Sequence, residues 1–164
     1  MPSPIRYYLG IDPGKTGGLV CISRSGRIVT YEAMPLTEAD IWKWFALLRT
    51  TGNIRGAFIE KVHSMPQQGV ASSFTFGMGY GGLRMALVAA AIPFQEVNPQ
   101  TWMKGLAIPP KKKTESKARS KNRLRGFAQQ LFPGLGAWEW TKGEQLKVCD
   151  ALLIAEFCRR TWDG

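Results

Sequence analysis

The stretch "YYLGIDPGKTGG", residues 7–18, decides how the chain is read. An apolar and aromatic run stops on an acid, Asp12, and Pro13-Gly14 follows at once, with further glycines at 17 and 18. Three readings of that acid compete. It belongs to a plain Asp-Pro-Gly turn, or to a glycine-rich loop that cradles phosphate, or it is a carboxylate held out to a metal ion at the end of a strand.

Outward from that point, residues 6–11 (RYYLGI), 18–23 (GLVCIS) and 26–33 (GRIVTYEA) read as three short strands, with Ser25-Gly26 as a hairpin signal between the last two. Thr37, acids at 38 and 40, and then Ile41, Trp44, Phe45, Leu47 and Leu48 describe a capped amphipathic helix ending near Thr51-Gly52. "RGAFIE" (55–60) is a fourth strand, and it too ends on an acid, Glu60. Residues 70–91 predict a buried helix that packs closely through its glycines, "PFQEVN" (93–98) a fifth strand, and 99–106 a helical turn. Residues 114–131 read as a helix stopped by "LFPG", and a last helix runs from about Glu144 to Arg160. The order βββ-α-β-α-β-α-α has no internal repeat and no linker. It predicts an α/β fold, a mixed five-stranded sheet flanked by helices, as a single domain over residues 1–164.

A content of 45% hydrophobic and 21% charged residues excludes global disorder. Cys21, Cys149 and Cys158 lie in apolar periodic segments without metal-type spacing, which points to reduced thiols in a cytosol-like compartment. "MPSPIR" shows no signal core, so the expected location is the cytoplasm of a bacterial or phage-infected cell; a trimmed organelle transit peptide would leave no trace. Residues 70–92 are long enough for a membrane span, but Ser72, Ser73, Thr75, four glycines and Arg84 argue against one.

Charge is the strongest global signal. The net charge is +10, and residues 104–125 supply +8 of it, with Glu115 the one acid among nine basic side chains. A block of this kind between structured segments is the footprint of a polyanion partner, against the plainer reading of a solvated run.

Gly77 to Gly82 spells GxGxxG, with Glu96 placed like a ribose-binding acid. The preceding "QQGVASS" is turn-like, Glu96 is mid-strand, and lysines follow where further βαβ units belong, so no nucleotide cofactor is expected. More telling are three acids where acids are normally excluded. Asp12 and Glu60 end strands, and Asp150 falls within the apolar stripe of Leu146, Cys149, Leu153 and Phe157. A buried carboxylate requires a partner or a cation. Each has a plain reading: a turn for Asp12, a pair with Lys61 for Glu60, and a pair with Lys147 for Asp150. Together, beside a polyanion-binding block, they suit oxygen ligation of Mg²⁺ in phosphoryl transfer.

"GIDPGKTGG", "FIEKV", a lysine-rich stretch ending "LFP", and "CDALLIAEF", in this order, resemble the RuvC-type Holliday junction resolvases, particularly their phage-like and chloroplast-like branches, over about residues 6–160. The resemblance implies a ribonuclease-H-like fold, a homodimer, and Mg²⁺- or Mn²⁺-dependent paired nicks across a four-way DNA junction. It makes Asp12, Glu60 and Asp150 the metal-binding catalytic carboxylates. One position departs from the family pattern. One turn before the last acid, where a further acid or histidine is usual, stand Leu146 and Lys147. Either Lys147 joins the catalytic set as a fixed positive charge with one metal held less firmly, or activity is weakened.

His63, Gln67 and Gln68 lie in the loop where the family places junction contacts, and Lys104, Lys111, Lys112, Lys113, Lys117, Arg119 and Lys121 are the expected phosphate contacts. Phe74 and Phe76 are either base-stacking residues or, as the first turn of a buried helix, core. Trp102 in "NPQTWMK" is expected to pack under the basic loop; Trp138 and Trp140 have no assigned role. Three rivals remain open. The first is a sugar-kinase or chaperone-like ATP binder, which needs two such domains. The second is a nuclease of this fold acting on RNA or simpler DNA, and the third is a non-catalytic junction or duplex binder.

Overall fold

The computed structural model describes residues 5–63, 69–137 and 141–163. Strands β1 (Arg6–Asp12), β2 (Gly18–Ser23) and β3 (Ile28–Ala33) are followed by α1 (Glu38–Thr51), β4 (Asn53–Glu60), α2 (Val70–Ala89) and β5 (Phe94–Val97). Helices α3 (Pro99–Gly105), α4 (Lys117–Leu131), the single turn α5 (Gly134–Ala137) and α6 (Lys142–Asp163) complete the order. The five strands form one mixed sheet, β3-β2-β1-β4-β5. The first three strands pair antiparallel, and β4 runs parallel to β1 and β5 parallel to β4. This is the expected five-stranded α/β architecture.

The two-residue period of the strands sorts side chains between two cores. Tyr7, Leu9 and Ile11 of β1 and Ala57 and Ile59 of β4 pack with α1 and the end of α2. Tyr8 and Phe58 turn the other way, against α3, α4 and α6. Gly10 and Asp12 continue the Tyr8 face, and Glu60 continues the Phe58 face. The position of the acids thus follows from the pleat: each ends a strand on the side covered by α6.

Backbone contact brings α6 close. A Cβ on Gly10 would run into the carbonyl of Ala151 and the amide of Ala155, so only glycine lets the helix lie directly on β1. α6 is buried nearly all round from Val148 to Cys158, instead of along the single stripe its sequence suggests, because the sheet covers one side and α4 another. α1 begins where its cap signal stands, with Thr37 accepting from the Asp40 amide at 3.1 Å. α4 begins at Lys117, three residues later than expected, because Ser116 caps it through the Arg119 amide.

The largest correction concerns α2. Only Leu83 and Leu87 of this helix are buried, while Val70, Phe74, Met78, Met85 and Val88 are more than half exposed. Beta-carbons added at Gly77, Gly79 and Gly81 would meet nothing within 4 Å, so these glycines pack against none of the described residues. The GxGxxG run lies within this continuous helix; its amides are taken up by helical bonding and cannot cradle phosphate. Among the described residues no helix is long and apolar enough to cross a membrane. All three cysteines are free and buried.

Candidate metal and nucleic-acid site

The β1–β4 register pairs Ile11 with Ile59, which sets Asp12 and Glu60 one step beyond, side by side at the end of the sheet. The chain reverses immediately after Asp12: Gly14 takes φ 100°, the Gly17 amide donates to its carbonyl, and Asp12 pairs with Gly18 across the hairpin. A β-carbon at Gly17 would strike the Asp12 carbonyl, so this turn requires its glycines while it presents the acid. The turn reading and the carboxylate reading of Asp12 are therefore compatible. Asp150 comes from α6, beside the point where that helix rests on Gly10.

The cation beside these acids is Lys121, from α4. Its Nζ lies 2.7 Å from Asp150 Oδ2 and 3.7 Å from Asp12 Oδ2. Lys147, expected as the partner of Asp150 or as a fixed charge at the site, is exposed instead. A lysine arriving from a packed helix reaches the acid, whereas one a turn earlier on α6 itself points to solvent. Among the described residues no ion pair joins Glu60 to Lys61; the Glu60 Oε2 accepts from the indole Nε1 of Trp102 at 2.8 Å. Trp102 is buried, and this role was missed in the sequence. The Cys149 thiol donates to Asp150 Oδ1 at 3.2 Å.

The electrostatics are those of anions brought together out of water. Burial pushes the Asp12 carboxyl well above the usual carboxylate range; the charge of Asp150 adds to this, Lys121 opposes it, and Glu60 adds a little more. Burial raises Glu60 to about 6 against the pull of the Trp102 hydrogen bond. Burial opposes the charge on Lys121, but Asp150 and Asp12 more than offset this and hold its pKa above the ordinary lysine value.

The donor set suits a hard divalent cation: all oxygen, from three separate elements, with two of the carboxylates already gathered on one ammonium. Among the described residues no three His, Cys, Asp or Glu side chains close on a common point by themselves. A bound ion would complete its shell with water or phosphate oxygen.

These shifts carry a sign that can be measured. Both acids bind protons more tightly folded than unfolded, so their contribution to stability is full below the ordinary carboxyl range and is lost as pH rises through their folded values. In chelator, the melting temperature is expected to fall as pH rises from the ordinary carboxyl range to about 6 for Glu60, and to go on falling at higher pH for Asp12. Glu60→Gln should flatten the first part of the profile and added Ca²⁺ should restore the lost stability. A melting temperature that rises with pH over this window would show that these carboxylates are already satisfied as anions.

The basic block divides. Lys104, Lys111, Lys112, Lys113, Lys117 and Arg119 are exposed, with Lys117 one turn before Lys121. Lys121, Arg123 and Arg125 turn inward: Arg123 forks onto Glu115 at 2.9 and 3.1 Å, and Arg125 reaches Gln145. His63 is exposed just past β4; Gln67, Gln68, Trp138 and Trp140 lie outside the described residues. Phe74 is exposed and not core, and Phe76 is half-buried, its ring 3.1 Å from where a β-carbon on Gly14 would stand.

No family model matches the sequence, and no curated protein matches it. Solved structures do match. Thermus thermophilus RuvC in complex with Holliday junction substrate shares 20% identity, covering 95% of this chain and 96% of that one at a TM-score of 0.63. A second structure of Thermus thermophilus RuvC matches at 20% identity, 94% and 96% coverage and a TM-score of 0.60. At that identity the likeness is one of fold. This chain has the RuvC, ribonuclease-H-like fold over nearly its whole length.

Proposed function

We propose that this chain is a divalent-metal-dependent endonuclease that resolves four-way DNA junctions by paired, symmetric nicks. The observation that carries this reading is the gathering of Asp12 and Asp150 on one cation at the sheet's end, next to Glu60 and one helical turn from exposed Lys117. Mg²⁺ or Mn²⁺ held by Asp12, Glu60 and Asp150 would supply Lewis-acid stabilisation of phosphate charge and a more acidic bound water. The chain's own residues do the positioning. The β1–β2 turn and Gly10 fix Asp12 against α6, the Trp102 indole sets the rotamer of Glu60, and the exposed lysines bring the phosphodiester to the acids. That RuvC has been captured with a Holliday junction supports the same substrate class here.

The decisive test is one gel. Labelled four-way junction, linear duplex and RNA–DNA hybrid are each incubated with Mg²⁺, with Mn²⁺, or with chelator. Symmetric nicks in the junction alone, with metal alone, are expected. Cutting of the hybrid or duplex would favour another nuclease of this fold, and tight binding without cutting would favour a non-catalytic junction binder.

Lys111→Ala, Lys112→Ala and Lys113→Ala combined should weaken junction and duplex binding alike. The slope of log affinity against log salt should become shallower by roughly 0.9 for every phosphate that these lysines neutralise. An unchanged slope would reduce these lysines to a solvated loop.

Two symmetric cuts with one acid cluster per chain call for a homodimer. Val70, Phe74, Met78, Met85 and Val88 follow helical spacing along one stripe of α2, with Gly77 and Gly81 between them. An apolar stripe this exposed, notched by glycines, is suited to close approach of a second copy. Phe74→Ser with Met78→Gln and Met85→Gln should convert a dimeric mass in solution to a monomeric one while the melting temperature holds. A dimer unaffected by all three would move the interface elsewhere.

A further inference from the structure

The lysine between the carboxylates bears on how many ions the site accepts; this rests on the metal-site reading above. Each carboxylate commits one oxygen inside the protein. Asp12 Oδ2 and Asp150 Oδ2 face Lys121 at 3.7 and 2.7 Å, and Glu60 Oε2 accepts from Trp102 at 2.8 Å. Among the described residues, Asp12 Oδ1 and Glu60 Oε1 have no donor, and Asp150 Oδ1 has only the weakly donating Cys149 thiol. Three oxygens from three elements are thus left for a cation.

Charge sets the number of ions. Three ionised carboxylates with one ammonium among them leave a residual charge that a single divalent ion balances. A second ion would leave a net positive cluster in a site where the Asp12, Asp150 and Lys121 side chains are 13, 15 and 29% exposed. The position one turn before Asp150, from which a further ligand could come, carries Leu146 and the exposed Lys147. Lys121, in contrast, is held on a helix packed against α6. We infer that Lys121 takes the place of a second metal ion, so that each chain holds one divalent cation beside a permanent ammonium.

Mn²⁺ alone, titrated into the full chain without DNA, tests this by calorimetry and electron paramagnetic resonance. Wild type is expected to bind one Mn²⁺ per chain. Lys121→Met removes the charge and keeps an unbranched side chain; it should admit a second ion or bind the first at least about tenfold more tightly. Lys121→Arg should keep one ion. If Lys121→Met does not fold, as judged by circular dichroism, Lys121→Gln takes its place under the same criterion. Two ions in wild type, or a single ion bound with less than about tenfold change once Lys121 is neutralised, would overturn the role given to this lysine alone. Failure of wild type to bind Mn²⁺, or binding unchanged by Asp12→Asn, would instead overturn the metal site itself.

Discussion

Asp12→Asn is expected to lower single-turnover cleavage of a four-way junction by about a hundredfold to a thousandfold, the scale seen when a preorganised electrostatic group is removed from a reacting centre. Junction affinity, measured in Ca²⁺, should stay the same or tighten. The substitution takes away a negative charge that repels phosphate and leaves the exposed lysines in place. The metal-free variant should also melt at a higher temperature than wild type at neutral pH, because burial already disfavours the ionised form of this carboxyl. Loss of activity together with gain of stability separates a functional acid from a structural one. Undiminished cleavage by Asp12→Asn would end the nuclease-site assignment.

The second large effect is on the fold. Gly10→Ala should destabilise the protein by about 3 kcal/mol or more, since the new methyl meets main chain of α6 that cannot rotate away. Urea unfolding followed by fluorescence measures it. Gly126→Ala, a helical glycine of α4 whose β-carbon would meet nothing within 4 Å, is the control and should stabilise by up to about 1 kcal/mol. Equal effects at the two positions would show that the packing of α6 on β1 does not constrain the chain. The same packing governs the site: Gly10 lies two residues before Asp12, and Ala151 directly follows Asp150. Cleavage by any folded Gly10→Ala protein should therefore fall as well.

Much of this architecture is local and could be read locally. The short apolar runs 6–11 and 18–23, the Thr37 cap and the spacing of Ile41, Trp44, Phe45 and Leu48 each report on a few neighbouring residues, and the observed elements follow them. Asp12, Glu60 and Asp150 stood out for the same reason, as acids that interrupt an apolar pattern. Periodicity shows that an element has an apolar face but not what covers it. α2 therefore reads as a core helix although most of its apolar stripe faces outward, and α6 reads as one-sided although it lies between the sheet and α4.

Pairing across the chain was legible even less. Sequence neighbours alone offered Lys147 to Asp150 and Lys61 to Glu60. The actual partners are Lys121, 29 residues away, and Trp102, 42 residues away. Lys121 carried no mark distinguishing it from the exposed lysines around it, because the composition of a basic block does not say which side chains its helix turns inward. By itself the sequence determined the strands, every helix but the single turn α5, their order, and the three acids placed where an unpaired charge is costly. Tertiary structure alone decided which cation stands among those acids and which apolar face remains open, because both depend on how distant segments dock and not on the residues beside them.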